Sequence, residues 1–389
     1  MRLAPVGTPV GLQRSAAPAD TGLEALLPGW TVGLYDSGTA ALAVALQDAR
    51  LRHPAMQPEA IVPAYGCPQL ISACLYAQVR PRVVDTAPGE WGYEPAALRG
   101  ALGPNTVAVL AVNLLGVGDQ ATQILPWVRA NGSRLIQDSA QHLPVDAPQG
   151  WCGDYVVLSF GRGKPLNLLR GGALAIRAGE TLLADVPELS GARERLREAL
   201  LGSRLAGVAF NILTQPDVYA VASQLPGLRV GATRFEPVAQ IARLPRSAWR
   251  QVAPAYTNYA RESRELPWSP VLSDWQALGI RALTCVGATA AWSGRLRLAL
   301  LADDRETRDR VVAELDRQGL GVSTFYAAAL DGLEAIPAVV SEQGPFPNAT
   351  ALADRLLTLP THRFVSADVV RRAHDCLVRL LERSPALQT

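Results

Sequence analysis

Lysine is all but missing from this chain of 389 residues. Lys and Arg together number 37, and Lys164 is the single lysine, so every other basic side chain is arginine. Roughly twenty lysines would be ordinary at this length. Cysteine is scarce as well: the five, at 67, 74, 152, 285 and 376, are odd in number and show no CxxC pair or metal-ligand spacing. That argues against a disulfide framework and for free thiols in a reducing compartment, the cytoplasm. No excess of one charge exists. The net charge is +2 with arginines scattered among acids, which gives no reason to expect nucleic acid or an anionic membrane as partner. No run of about eighteen apolar residues occurs, and the first twenty residues lack the apolar core of a secretion signal, so no membrane span is expected. Repeats and low-complexity segments are also absent.

What the chain does have is apolar material, 49% of residues against 19% charged. That is enough for two packed lobes and perhaps apolar area for a subunit interface. Short β-rich runs at Ala60–Pro63, Arg82–Asp85, Val107–Val112, Arg134–Gln137, Tyr155–Ser159 and Ala173–Ile176 are nearly continuous in apolar residues. Parallel strands covered on both faces read this way. Helical stretches such as Ala40–Arg50 and Pro68–Ala77 lie between them, so an α/β fold with a mainly parallel sheet is expected. Ligands in such sheets bind beyond the carboxyl ends of the strands. From Glu198 to Leu225 the chain turns apolar and helical with Gly and Pro breaks, which suits packing or an interface. After Pro237 the pattern changes to a strand at Arg295–Ala302, helices at Arg305–Gln318 and Ser366–Arg383, and a smaller α+β lobe. The domains expected are therefore 1–236 and 237–389.

Arginine substitutes for lysine wherever charge and hydrogen bonding suffice, but never where a neutral amine must attack a carbonyl. Lys164 follows a predicted strand in a Gly-flanked turn, SFGRGKPLNLLRGG. Its location favours a chemical role, such as a Schiff base to a carbonyl cofactor, over the chance survival of a surface lysine. Pyridoxal phosphate would require an acid for its pyridine nitrogen and a phosphate cradle. Asp138, at the end of RLIQD, suits the first role and equally suits a helix N-cap. Gln141, three residues on, could reach the ring's phenolic oxygen. The turn DSGTAALAVAL, with Gly38 and Thr39 opening an Ala-rich helix, aims N–H groups and the helix dipole at an anion. Ser159 offers a further hydroxyl.

With these pieces in order, the chain resembles the DegT-type sugar aminotransferases, fold-type I pyridoxal phosphate enzymes. The matching stretches are SGTAAL, IVPAYG, RPRVVDTAPGEWGYEPAAL, AVNLLG, IQDSAQ, GDYVVLSFGRGK, RGGALAI, LADRLLTLPTH and VSADVVRRAHDCL. The resemblance implies a large domain with a mainly parallel seven-stranded sheet and a smaller C-terminal α+β domain. It puts the Schiff-base lysine on Lys164, the ring-nitrogen acid on Asp138, Gln141 beside the ring, and Gly38, Thr39 and Ser159 at the phosphate. Asn113, in AVNLLG, falls where a ring or substrate contact is expected. Lys164 would be both cofactor anchor and proton shuttle, while nitrogen would pass by way of the cofactor from an amino-acid donor, glutamate, to a nucleotide-linked keto sugar. A homodimer with shared sites is implied.

Three positions depart from the family pattern. Cys67 stands where an aromatic ring usually covers the cofactor's outer face, which leaves stacking to another group, such as Tyr65. Leu169 and Arg170 replace Gly and Glu in the segment after the lysine; Arg170 either binds an anionic substrate group or faces solvent. VGATRF stands where an Asn-containing segment usually reaches the neighbouring subunit's phosphate, with Thr233 or Arg234 as substitutes. The competing readings are a cofactor-binding protein without turnover and an eliminating enzyme on the same scaffold.

Overall fold

The computed structural model describes residues 2–11, 27–143, 151–188, 204–224, 234–244, 266–287 and 296–382, with 252, 255, 256 and 259. Two sheets organise them. The larger has seven strands: β1 (Trp30–Tyr35), β2 (Glu59–Pro63), β3 (Arg80–Val84), β4 (Thr106–Val112), β5 (Arg134–Asp138), β6 (Tyr155–Ser159) and β7 (Gly172–Arg177). Their spatial order is β1-β7-β6-β5-β4-β2-β3. β3, β2, β4, β5 and β6 pair parallel, and β7 and β1 close one edge antiparallel. The sheet is thus mainly parallel. β1 is the strand the sequence reading left out.

Helices α1 (Gly38–Leu51), α2 (Gln69–Tyr76), α3 (Pro95–Ala101) and α4 (Ala121–Ala130) connect these strands. α1 shows why the local sequence folds as it does. Ser37 is extended, and its hydroxyl accepts from Ala40 N at 3.0 Å, which caps the first turn. The alanines that follow have high helix propensity and small volume, so most of the helix is buried against the sheet, with Ala40, Ala41, Ala43 and Ala45 all in the core. Strand order reverses between β2 and β4, opening a crevice at the carboxyl ends there.

The smaller sheet, order β10-β9-β8, comprises β8 (Arg281–Ala282), β9 (Arg297–Leu301) and β10 (Leu356–Pro360). Two helices precede it, α5 (Arg204–Leu213) and α6 (Pro216–Ala222), and α7 (Leu272–Ala277), α8 (Arg305–Arg317), α9 (Ala338–Ser341), α10 (Pro347–Arg355) and α11 (Ala367–Glu382) surround it. α11 buries Val369, Val370, Ala373, Cys376, Leu377 and Leu381, a helical-period stripe, against a core that includes Trp268, Trp275 and Leu315. Leu3 belongs to this second core, held by Leu3 N donating to Gly319 O at 2.8 Å. No described helix is long and apolar enough to cross a membrane.

Asp48, fully buried on α1, locks that helix in place. It accepts from Arg52 Nε and Tyr155 Oη, each at 2.6 Å, from Ala184 N at 3.2 Å, and from Leu183 N. Burial pushes its carboxyl up, but hydrogen bonds from Arg52, Tyr155, Leu183 and Ala184 outweigh it and hold the group below its ordinary value. A depressed carboxyl contributes stability above its unfolded value, and that contribution is lost as pH falls through the folded one. Asp48→Ala should therefore cost about 3 kcal/mol in urea unfolding at neutral pH, because it strands several buried donors. The loss should shrink in acid below about pH 4. An unchanged unfolding midpoint at pH 7 would refute this account of α1.

Candidate active site

Chain segments leaving four neighbouring elements converge on one cavity of ≈ 170 Å³ at the carboxyl edge of the large sheet. All eight residues singled out from the sequence line it: Gly38, Thr39, Cys67, Asn113, Asp138, Gln141, Ser159 and Lys164. Cys67 comes from the turn after β2, Asn113 follows β4, Asp138 ends β5 and Ser159 ends β6, so the cavity straddles the reversal of strand order. Lys164 sits in the turn beyond β6, half-buried, its N–H donating to Gly161 O at 3.2 Å.

Asp138 is buried, and its Oδ1 accepts from Ala140 N at 2.9 Å. Residues 139–143 form a turn rather than a helix, so the N-cap alternative does not describe it. Burial pushes its carboxyl up, and the Ala140 N–H and the positive charge of Lys164 partly offset this. Cys67 responds likewise: burial raises its thiol, and Lys164 pulls it back. The chain's single lysine therefore interacts with both a buried carboxyl and a thiol.

The N-terminus of α1 approaches β6 and β7 unusually closely. A Cβ on Gly38 would lie 2.7 Å from Ser159 Cβ, and one on Gly172 would lie 2.5 Å from Gly38 N. Only glycine fits at either position. The helix N-terminus, where N–H groups lack intrahelical acceptors, thus meets the Ser159 hydroxyl at the cavity wall. Gly172 had been quoted only as part of RGGALAI; its role follows from strand β7 lying beside α1, which no local pattern reveals.

Two departures from the family pattern gain a physical setting. Leu169 has φ of 66°, a left-handed backbone that favours the glycine usual there, and its N–H donates to Asn167 Oδ1 at 3.1 Å. Arg170 is half-buried and does not line the cavity. Thr233 lies outside the described residues; Arg234 is exposed, away from the cavity lining.

Tyr65 is not a lid. It is fully buried, and its hydroxyl donates to Tyr326 O at 3.1 Å while accepting from Tyr326 N at 3.2 Å. The aromatic ring that lines the cavity is Tyr326, which sequence reasoning missed. Its hydroxyl accepts from Gln141 Nε2 at 3.0 Å and faces the Cys67 thiol. The preceding Phe325 takes a left-handed φ of 63°, and its ring lies tilted against that of Tyr326 with centroids 4.3 Å apart. An aromatic pair in the Gly-flanked run GLGVSTFYAAAL was the only available signal.

Comparison with known proteins follows this geometry. Residues 32–189 match the DegT/DnrJ/EryC1/StrS aminotransferase family. These residues, about two fifths of the chain, are similar to that family. The segment spans β1 to β7 and all eight candidate residues, while Tyr326 lies beyond it. Protein MosB of Rhizobium meliloti is 31% identical over 157 residues, 38% of this chain and 30% of that protein. A UDP-N-acetyl-3-dehydro-alpha-D-glucosamine 3-aminotransferase of Acidithiobacillus ferrooxidans is 28% identical over 145 residues, 36% of this chain and 38% of that protein. The matched segment thus spans about a third of these curated relatives. The fold extends further: the structure of NtdA from Bacillus subtilis with bound cofactor PMP superposes with a TM-score of 0.68 at 16% identity, covering 95% of this chain and 79% of that one.

The electrostatics yield a test. Because Lys164 offsets the raised thiol of Cys67, Lys164→Ala should push that thiol further up and leave less thiolate at pH 8. Iodoacetamide labelling of Cys67, followed by mass spectrometry, should therefore be slower in the variant than in the wild type. Equal or faster labelling would show that the two groups do not interact.

Proposed function

We propose that the protein is a pyridoxal-phosphate-dependent aminotransferase that moves an amino group from an amino-acid donor, glutamate, to a nucleotide-linked keto sugar. The observation that carries this reading is the placement of the chain's single lysine in one cavity with a buried carboxyl and a helix N-terminus. The residues fit the cofactor on three counts. Gly38 and Gly172 let the helix N-terminus meet Ser159 at the cavity wall, Asp138 is a buried carboxyl raised by desolvation, and among the described residues the buried Asn113 Nδ2 has no hydrogen-bond partner. Ordinary relatives support the same cofactor and acceptor class: one is named for a dehydro-glucosamine nucleotide, and NtdA holds PMP.

When bound, pyridoxal phosphate supplies an electron sink for the carbon that gains or loses nitrogen. Gly38, Thr39 and Ser159 would hold its phosphate through helix N–H groups and hydroxyls. Asp138 would pair with the protonated ring nitrogen and so keep the sink strong. Lys164 would hold the cofactor covalently, then, released as a neutral amine, carry the proton at the substrate carbon on its Nζ. Tyr326 would cover the face that Cys67 leaves thin. We take 1–236 as the cofactor-binding domain and 237–389 as the small one, with the first residues reaching across to the latter.

Two copies are the proposed working unit. Leu205, Val208 and Ile212 on α5 and Val218 and Val221 on α6 are exposed apolar side chains at helical spacing, an uncovered face that a second copy would bury. Five free thiols accord with the reducing cytoplasm.

Glutamate added to the cofactor-loaded protein should convert its visible absorption to a near-ultraviolet band, and a keto-sugar nucleotide should restore it. A spectrum indifferent to glutamate would favour a binder without turnover. Asp138→Asn should retain cofactor yet lose about 10²-fold or more in rate, since it removes a buried charge from the ring nitrogen. Wild-type rates in that variant would refute the assignment.

A further inference from the structure

Residues 2–11 form no helix or strand, yet they touch both halves of the candidate site. Pro5 and Pro9 lack N–H groups and favour extended backbone at Ala4 and Thr8, which disfavours helix and central strand alike. The carbonyls of those two residues are taken by side chains instead. His362 Nε2 donates to Ala4 O at 3.0 Å, and Asn167 Nδ2 donates to Thr8 O at 2.7 Å.

One anchor lies in the small lobe. Leu3 is buried in its core, and Leu3 N donates to Gly319 O at 2.8 Å. A Cβ on Gly321 would lie 3.1 Å from Ala4 O, and one on Gly7 would lie 2.6 Å from the His362 ring. Gly319 and Gly321 open GLGVSTFY, the run that delivers Tyr326 to the cavity.

The other anchor is the turn that carries Lys164. A Cβ on Gly163, the residue before the lysine, would lie 2.9 Å from Val6 Cγ1, so the valine packs directly on that backbone. Asn167, three residues after the lysine, is 2% exposed. Its nitrogen grips Thr8 while its oxygen accepts from Leu169 N at 3.1 Å, which supports the left-handed residue there.

We propose that residues 3–8 are a strap that positions the Lys164 turn against the small lobe, so that the lysine and Tyr326 keep a fixed relation across the cavity. The inference rests on the cofactor reading above and goes beyond it by giving this segment a positioning task. The root of the turn belongs to the large sheet, where Leu168 N donates to Phe160 O at 2.9 Å and Phe160 N to Gly171 O at 2.8 Å. Its tip meets the strap at Gly163 and Asn167, before and after Lys164. Proton transfer is sensitive to a misplacement of about 1 Å, and a long flexible side chain on a loose turn loses its aim.

Hydrogen exchange of the full chain without cofactor, read on the peptide 160–171, tests the coupling. Leu3→Ala, at the far anchor, should speed exchange in that peptide about fivefold or more, the scale of one local contact or hydrogen bond lost. Val6→Ala, at the near anchor, should do the same. Leu381→Ala truncates the same small-lobe core from α11 and should leave the turn unchanged. Val6→Ile keeps the β-branch against Gly163 and should behave as the wild type. With pyridoxal phosphate bound and glutamate as donor, Val6→Ala should lower kcat about fivefold with KM unchanged, because the aim of the lysine governs proton transfer and not donor binding. Turn exchange unchanged in Leu3→Ala and Val6→Ala, or raised equally in Leu381→Ala, would overturn the proposal, as would a loss carried by KM alone. A wild-type protein that gives no visible band with pyridoxal phosphate would overturn the cofactor reading instead, and the exchange result would still decide the strap.

Discussion

A carboxyl buried without a fixed cation is an unstable arrangement, and the candidate site is built around one. Asp138 is lodged at the end of a central strand, its only fixed donor among the described residues being the Ala140 N–H, and the chain's one lysine stands near enough to lower its pKa. Desolvation wins over these terms, so the group stays raised. A protonated aromatic nitrogen entering the cavity would reverse that balance. The same field reaches Cys67, where it opposes burial and keeps the thiol from rising further.

Close backbone approach is the second constraint. The buried α1 must bring its N-terminus against β6 and β7, and glycines at 38 and 172 are what allow contact at that range. Asp48, three turns along the same helix, fixes it to Tyr155 on β6, the strand that ends in Ser159. Stability and site geometry therefore share one helix. The small lobe contributes by a separate route, placing Tyr326 over the cavity through the buried hydroxyl of Tyr65.

Much of this was legible in the sequence because it is local. Six of the seven large-sheet strands announced themselves as apolar runs, since strands covered on both faces carry no polar alternation. β1 did not, because Gly33 interrupts WTVGLY and the run passes directly into the Ser37 turn. Lys164 stood out as the sole lysine in a turn past β6, Asp138 as the end of the apolar run RLIQD, and the Gly38 turn as the opening of an Ala-rich helix. Long-range choices were not legible. Tyr65 and Tyr326 are separated by 261 positions, and nothing in PAYGC indicates that the tyrosine there turns inward to anchor another ring. Gln141 lines the cavity and also donates to Tyr326, a contact that no local pattern indicates. Gly172 mattered through a neighbouring helix, not through its own segment.

The central claim is that Lys164 Nζ is the atom that holds the cofactor. Borohydride reduction of the pyridoxal-phosphate-loaded protein, followed by peptide mapping, tests it most directly. The account predicts a single pyridoxyl group on the peptide containing Lys164. A modified N-terminus, or no modified peptide at all, would contradict it.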